Sequence, residues 1–310
     1  MQLERGSFAG HETFPFRYTW LRKAVLLTAE DSGLFRQDDA MVRLGVGKNM
    51  VRSIRHWGLA TKIIHEDPAV HDNRGRALVP TELGRNLFGP EGWDEYLEDP
   101  ATLWLLHWQL ASTPTPSTTW FWTFNHAPQL QFLKTELITW MGRLVEQQGW
   151  SRVANSSLKR DIDCFIRTYV PVRPTRSVPL EDTLDCPLVE LGLMREQGKH
   201  NYQVMRGHQP SLPDHIFAYA LVSYLMNLEV QTKTVPLDDV AFKPGSPGRV
   251  FCLSEPALLE RVERLDAVTD GTLVYDETAG LRQLFVRELP DPMSLLADYF
   301  EEQAAEGRAA

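Results

Sequence analysis

The stretch VRLGVGKNMVRSIRHWGLATKII, Val42 to Ile64, decides how the fold is read. A helix beginning near Lys48 buries Met50, Val51, Ile54 and Trp57, the spacing of an amphipathic helix. Its other side then carries Lys48, Asn49, Arg52, Arg55 and His56. Gly58 is expected to end it, because glycine adopts the left-handed conformation past a helix end at little cost. Upstream, Leu44-Gly-Val-Gly is a tight turn suited to joining two crossed helices. Downstream, Ala60 to His65 alternates weakly like a strand, and His65 to Gly75, rich in Asp, Asn, Pro and Gly, reads as a hairpin tip. Arg76 to Pro80 is the return strand, and Thr81 caps the helix TELGRNLF. Helix, turn, basic helix and hairpin in this order describe a winged helix-turn-helix, which makes double-stranded DNA the first partner to consider.

Charge supports a local rather than a global reading. The chain of 310 residues carries a net charge of −9, which argues against nucleic-acid binding over its whole surface. Between Met41 and Pro90 the balance reverses: Arg43, Lys48, Arg52, Arg55, Lys62, Arg74, Arg76 and Arg85 face only Glu66, Asp67, Asp72 and Glu82. Screening beyond roughly 8 Å at physiological salt lets such a patch act independently of distant acid. On this reading Lys48, Arg52 and Arg55 meet phosphates, Asn49 or Arg52 reaches base edges, His56 lies on the same face, and Arg74 and Arg76 serve the wing. The competing reading is a solvated basic face on a helical domain that binds only protein.

Cys164, Cys186 and Cys252 are few and scattered, with no zinc-ligand spacing. Reduced thiols and a cytoplasmic location are expected. No uninterrupted apolar run approaches the roughly 20 residues needed to span a bilayer, so no membrane partner is expected.

The expected fold is mainly α, in three parts. Residues 1–112 form the winged-helix DNA-binding domain, 113–212 a helical middle domain, and 213–310 a second, winged-helix-like module. Thr113 to Thr119, with Pro114 and Pro116, is the linker candidate. Helices are expected over Phe14–Leu27, Trp93–Leu97, Leu103–Leu110, about Gln129–Gln147, Ser157–Val170, Pro213–Leu228, Leu237–Phe242 and Glu255–Leu265. Thr272–Tyr275 and Gln283–Arg287 pair as a hairpin, and the tail after Phe300 frays. The helix from Glu255 carries Glu260, Glu263 and Asp266, a poor phosphate reader, so the last module faces protein.

Two acidic constellations are candidates for chemistry. In FAGHETFPFR, His11 and Glu12 form an acid/base pair or hold a metal, or else His11 caps the next helix while Glu12 pairs with Arg17. Asp161 and Asp163, with Glu181, Asp182 and Asp185, supply carboxylates for a divalent metal, Mg2+ or another, in phosphodiester hydrolysis. Asp161 and Asp163 diverge on a helix, however, and Asp163 with Arg167 is more simply a salt bridge. The candidate catalytic set is therefore His11, Glu12, Asp163 and Asp182. GxGxxG, GxxxxGK[ST] and GxSxG are all absent, so no nucleotide or organic cofactor is expected.

The segments FAGHETFPFRYTWLRKA, VRLGVGKNMVRSIRHW, EDTLDCPLVELGL and SPGRVFCLSEPALLERVERL with DETAGLRQ, in this order over nearly the whole chain, resemble the DUF4007 family. The resemblance implies a bacterial protein encoded beside PAPS-reductase-like and ATPase genes in DNA phosphorothioation clusters. It further implies the nicking subunit of the single-stranded phosphorothioation system, engaging DNA so that sulfur can replace a non-bridging phosphate oxygen in antiphage defence. The sulfur chemistry would belong to partners: a cysteine desulfurase, an ATPase and the PAPS-reductase-like enzyme. No nuclease residue of the family maps onto these positions. A non-enzymatic DNA-binding adaptor that recruits those enzymes is the second reading, and a transcriptional regulator the third.

Overall fold

The computed structural model describes residues 6–150, 153–172, 186–228 and 233–309. The chain is mainly helical with three small antiparallel sheets, and it divides into two compact units. Unit 1 comprises Met1–Trp122 and Pro128–Met205, and unit 2 comprises Thr123–Ala127 and Arg206–Ala310.

Unit 1 opens with α1 (Tyr18–Glu30), α2 (Ala40–Leu44) and α3 (Lys48–Ala60). Gly45 closes α2 in the left-handed conformation at φ +68°, which turns the chain into α3 within three residues. Val51, Ile54, Trp57, Gly58 and Ala60 form the buried stripe of α3, and Trp57 Nε1 donates to the Phe14 carbonyl at 2.8 Å. Gly58 does not end the helix. A Cβ there would sit 2.7 Å from Ile64 Cδ1, so the glycine lets the Ile64 side chain pack closely on the helix. The helix runs on to Ala60 with Thr61 at its C-cap.

A hairpin is present where expected, but its strands are shorter than Ala60–His65 and Arg76–Pro80, and Ala60 belongs to α3. Strand β1 (Ile64–Glu66) pairs with β2 (Leu78–Pro80) in the register Ile64 opposite Pro80. Its tip is organised by Asn73, which donates to the carbonyls of Asp67 and Ala77 and accepts from Ala77 N. Thr81 caps α4 (Glu82–Phe88) by accepting from Gly84 N. Gly84 packs so closely that a Cβ would lie 2.0 Å from the Ile63 carbonyl oxygen.

Helix α5 (Pro100–Ala111) is capped by Asp99 and buried on every side from Ala101 to Ala111, which explains its lack of polar periodicity. Trp93 to Leu97 is turns rather than helix. The Pro114–Pro116 segment lies inside unit 1: Ser117 and Thr118 are buried, and Ser117 donates to the Leu110 carbonyl. Helix α6 (Thr118–His126) follows, then β3 (Gln131–Leu133), α7 (Lys134–Gln147) and α8 (Asn155–Tyr169). Leu158, Ile162, Phe165, Ile166 and Tyr169 make the buried face of α8, as their spacing indicates. The unit ends in β4 (Met194–Glu196) and β5 (Asn201–Val204), in the sheet order β3-β5-β4.

Unit 2 is built on α9 (Asp214–Asn227), which packs on the terminal helix. Strand β6 (Thr234–Pro236) leads through α10 (Leu237–Phe242), α11 (Pro247–Val250), α12 (Glu255–Val262) and α13 (Leu265–Val268) to β7 (Leu273–Thr278) and β8 (Leu281–Val286). Ala279 and Gly280, both at positive φ, form the two-residue turn of that hairpin. Strand β6 pairs with the other edge of β8, which had no signal in the sequence. The terminal helix α14 (Pro292–Ala309) continues through the tail expected to fray. Arg261, 3% exposed, clamps the loop before α9 by donating to the Leu212 and Gln209 carbonyls and to Asp214. No helix among the described residues is long and apolar enough to cross a membrane.

Candidate nucleic-acid interface

Helix α3 exposes Lys48, Asn49 and Arg52. Lys48 and Arg52 are one turn apart, so their charges share a face. Gly47 provides no side-chain cap, and the first turn holds no acidic residue. The positive end of the helix dipole is therefore uncompensated by the chain itself, an arrangement suited to a phosphate. Beside it lies a cleft of about 580 Å³ lined by Phe14, Arg17, Lys48, Asn49 and the Gly45–Gly47 turn. Sequence alone does not assign Arg17 to this surface; its place is set by the loop before α1, which has no periodicity to read.

The remaining expected contacts are distributed differently. Arg55 is half-buried, and its Nη2 donates to the Gly75 carbonyl at 3.2 Å, tying α3 to the hairpin tip. Burial holds its guanidinium below the ordinary arginine range, with Glu66 opposing the shift. Gly75 at φ +71° permits this approach, since a Cβ would lie 2.4 Å from Arg55 Nη2. Arg74 is exposed and bonds Asp72 at 2.7 Å, and Arg76 Nε donates to the Asn73 carbonyl at 2.9 Å. Both sit on the hairpin tip.

His56, expected on the solvent face, turns inward. Its Nε2 is buried with no hydrogen-bond partner among the described residues, and its ring lies edge-on to Trp57 and His11. Burial, reinforced by His11 and Arg55 and opposed by Asp161, lowers its pKa to about 3. The ring is therefore neutral near pH 7, with its Nε2 facing inward. A Cβ on Gly10 would stand 2.5 Å from His56 Nδ1, so the N-terminal loop closes directly over it.

That loop explains His11. The ring is fully buried, with Nε2 2.9 Å from Asp161 Oδ1, while Thr13 N donates to Nδ1 at 3.1 Å. A lone pair on Nδ1 leaves the hydrogen on Nε2, so the network assigns the tautomer that donates to Asp161. Ala9 N donates to the same carboxylate oxygen, and Asp161 Oδ2 is buried without a partner among the described residues. His11 thus pins the segment Ala9–Thr13 to α8. The backbone it pins is strained, with Ala9 at φ +58°, Glu12 at +50° and Thr13 at +75°. Non-glycine residues held there cost on the order of 1–3 kcal/mol each, and persist only when surrounding contacts over-determine them. The strained Glu12 projects its carboxylate to Arg52 Nη1 at 3.2 Å, rather than to Arg17.

The four candidate catalytic residues do not form one constellation among the described residues. His11 is in the core. Glu12 is at the surface on Arg52. Asp163 points away from Asp161, as helical geometry requires, and its partner is Lys134 rather than Arg167. Asp182, with Glu181 and Asp185, lies outside the described residues. Among the described residues no three His, Cys, Asp or Glu side chains cluster as metal ligands. The three cysteines are buried, and burial pushes the Cys252 thiol up to about 12, as inert structural thiols require.

Comparisons with known proteins agree with one another. No curated relative matches this chain. A magnesium ion-bound crystal structure of SspB superposes with a TM-score of 0.84 at 33% identity, over 96% of this chain and 88% of that one. A second SspB crystal structure gives 0.83 at 34%, over 99% and 90%. The family model described as "Protein of unknown function (DUF4007)" matches residues 8–300, and the chain belongs to that family.

Proposed function

We propose that this protein is a DNA-binding, DNA-nicking component of a bacterial DNA phosphorothioation system acting in antiphage defence. The observation that carries the DNA reading is the exposed Lys48–Asn49–Arg52 face at the uncapped start of α3, with Arg74 and Arg76 on the hairpin that follows. On this reading α2, α3 and the β1–β2 hairpin act as a winged helix-turn-helix. Helix α3 lies against the major groove and the hairpin tip against an adjacent phosphate strand. Similarity to SspB over nearly the full chain supports placement in the phosphorothioation machinery, with the ATPase and PAPS-reductase-like proteins as partners.

Mg2+ is the divalent metal to test, because one of the similar structures is of a magnesium ion-bound protein. The described residues do not gather a donor set that fits a resident ion, so no step is routed through one. The second reading is an adaptor that holds DNA for partner enzymes without cutting it.

Two measurements on purified full-length protein separate the readings. Conversion of supercoiled plasmid to open circle in the presence of divalent metal supports nicking, and inertness across a metal series supports the adaptor. Replacing Lys48 and Arg52 by Ala should weaken duplex retention and lower the slope of log K against log salt by about 0.9 for each phosphate no longer neutralised. Unchanged affinity and slope would remove α3 from the interface.

A further inference from the structure

Among the described residues, Arg52 is the cation on the exposed face of α3 that bears a carboxylate, and the carboxylate is Glu12. Three features set this pair apart from an ordinary surface ion pair. Glu12 is held at φ +50°, a conformation glutamate seldom adopts. Its segment is fastened from below by the buried contact of His11 and Ala9 with Asp161. The acceptor end stays reachable, with the Arg52 and Glu12 side chains 57% and 32% exposed. Strain held by buried anchors and ending in an accessible carboxylate on a cationic face points to that carboxylate's position as the useful property. The adjoining cleft of about 340 Å³, lined by Lys48, Arg52, Met41 and Asp38, leaves room for an anion beside the guanidinium.

We propose that Arg52 is an anion subsite in which the Glu12 carboxylate stands in for one backbone phosphate of the duplex, and that DNA binding displaces Glu12 from it. The inference rests on the DNA reading given above and adds to it a resident competitor. A carboxylate offers two acceptor oxygens to a guanidinium, as a phosphodiester does with its two non-bridging oxygens. Arg52 therefore exchanges one anionic partner for another of like geometry. Loose electrostatic encounters cannot make that exchange, so the pair raises discrimination against weakly held anions at some loss of affinity.

The test is a double-mutant cycle on the full chain, read as fluorescence anisotropy of a labelled duplex of about 20 base pairs near 0.1 M salt. Glu12→Gln is expected to tighten retention by about threefold to fivefold, the size of an exposed ion pair no longer broken on binding. Arg52→Ala weakens it, and Glu12→Gln then adds nothing in the Arg52→Ala background. Asp38→Asn, which removes a charge from the same cleft, gives a smaller gain. Glu12→Asn, better suited to positive φ, serves if the glutamine variant misfolds, and should tighten binding in the same way. The proposal is overturned if Glu12→Gln matches the wild type or Asp38→Asn, or if its gain survives in Arg52→Ala. Loss of strand cleavage with unchanged retention would overturn it too, and would instead make Glu12 a participant in chemistry. A duplex that wild type retains but Arg52→Ala retains equally well refutes the subsite alone. No retention by wild type or any variant refutes the DNA reading and the subsite together.

Discussion

Replacing Asp161 by Ala is the sharpest test of whether the buried His11–Asp161 pair is an anchor or part of a chemical site. The carboxylate accepts from His11 Nε2 at 2.9 Å, a buried donor, and from Ala9 N, a part-buried one. Alanine leaves one buried and one part-buried donor without acceptors, at up to about 1–3 kcal/mol each. Relief of the carboxylate's own burial offsets part of this, so the net loss should be about 2–4 kcal/mol. In a unit of this size the midpoint of thermal unfolding falls by roughly 5–15 °C. Asp161→Asn keeps an acceptor oxygen for both donors and should lose about 1 kcal/mol or less. Trp57 and Trp120 flank His11 with ring centroids at 5.9 and 5.7 Å, so this region contributes to the tryptophan emission followed during urea unfolding. An Asp161→Ala protein within about 0.5 kcal/mol of wild type that has lost its activity on DNA would refute the anchor, since a surface-like effect of that size leaves no buried donor exposed.

Packing and titration supply two more predictions. Gly84→Ala, a change that ordinarily strengthens a helix by about 1 kcal/mol, should here weaken the protein by about 1–3 kcal/mol in urea unfolding, because the added Cβ meets the Ile63 carbonyl at 2.0 Å. His56 has its pKa lowered from 6.5 to about 3 in the folded state, so below 6.5 the unfolded chain takes up a proton that the native ring refuses. Stability is complete above pH 6.5 and declines as pH falls toward 3, at up to about 1.4 kcal/mol per pH unit. Unfolding free energies between pH 7 and 5 should show this slope in wild type, and a His56→Gln protein should be flatter by that amount.

The region from α2 to α4 was legible because its cues are local. A left-handed glycine, a 3.6-residue apolar stripe, a turn-rich tip and a threonine cap each act within a few residues. The buried face of α8 was legible for the same reason. Gly58 misleads because a glycine at the edge of a helix signals an ending from sequence, whereas here it answers to Ile64 across the packing interface. His56 falls on the wrong side because its register borders both faces of α3, and the N-terminal loop that covers it is distant in sequence. The roles of His11 and Arg261 were hidden by range: their partners lie 150 and 47 residues away, and side-chain pairing at such distances leaves no periodic trace. Strand β6 is three residues long and pairs with β8 nearly fifty positions later, too short a run to announce itself.

The bond between His11 and Asp161 also has a meaning in time. At ordinary synthesis rates the 150 residues that follow His11, up to and including Asp161, take roughly 8–30 s to emerge from a ribosome. Until α8 is made, the nascent chain holds a cationic helix whose covering loop lacks its buried anchor at Asp161. A newly born N-terminal segment thus meets the crowded, polyanion-rich surroundings of translation before its Glu12 is locked in place, and only completion of α8 ends that interval. A chain cut short before residue 161 would remain in that unfinished state for good.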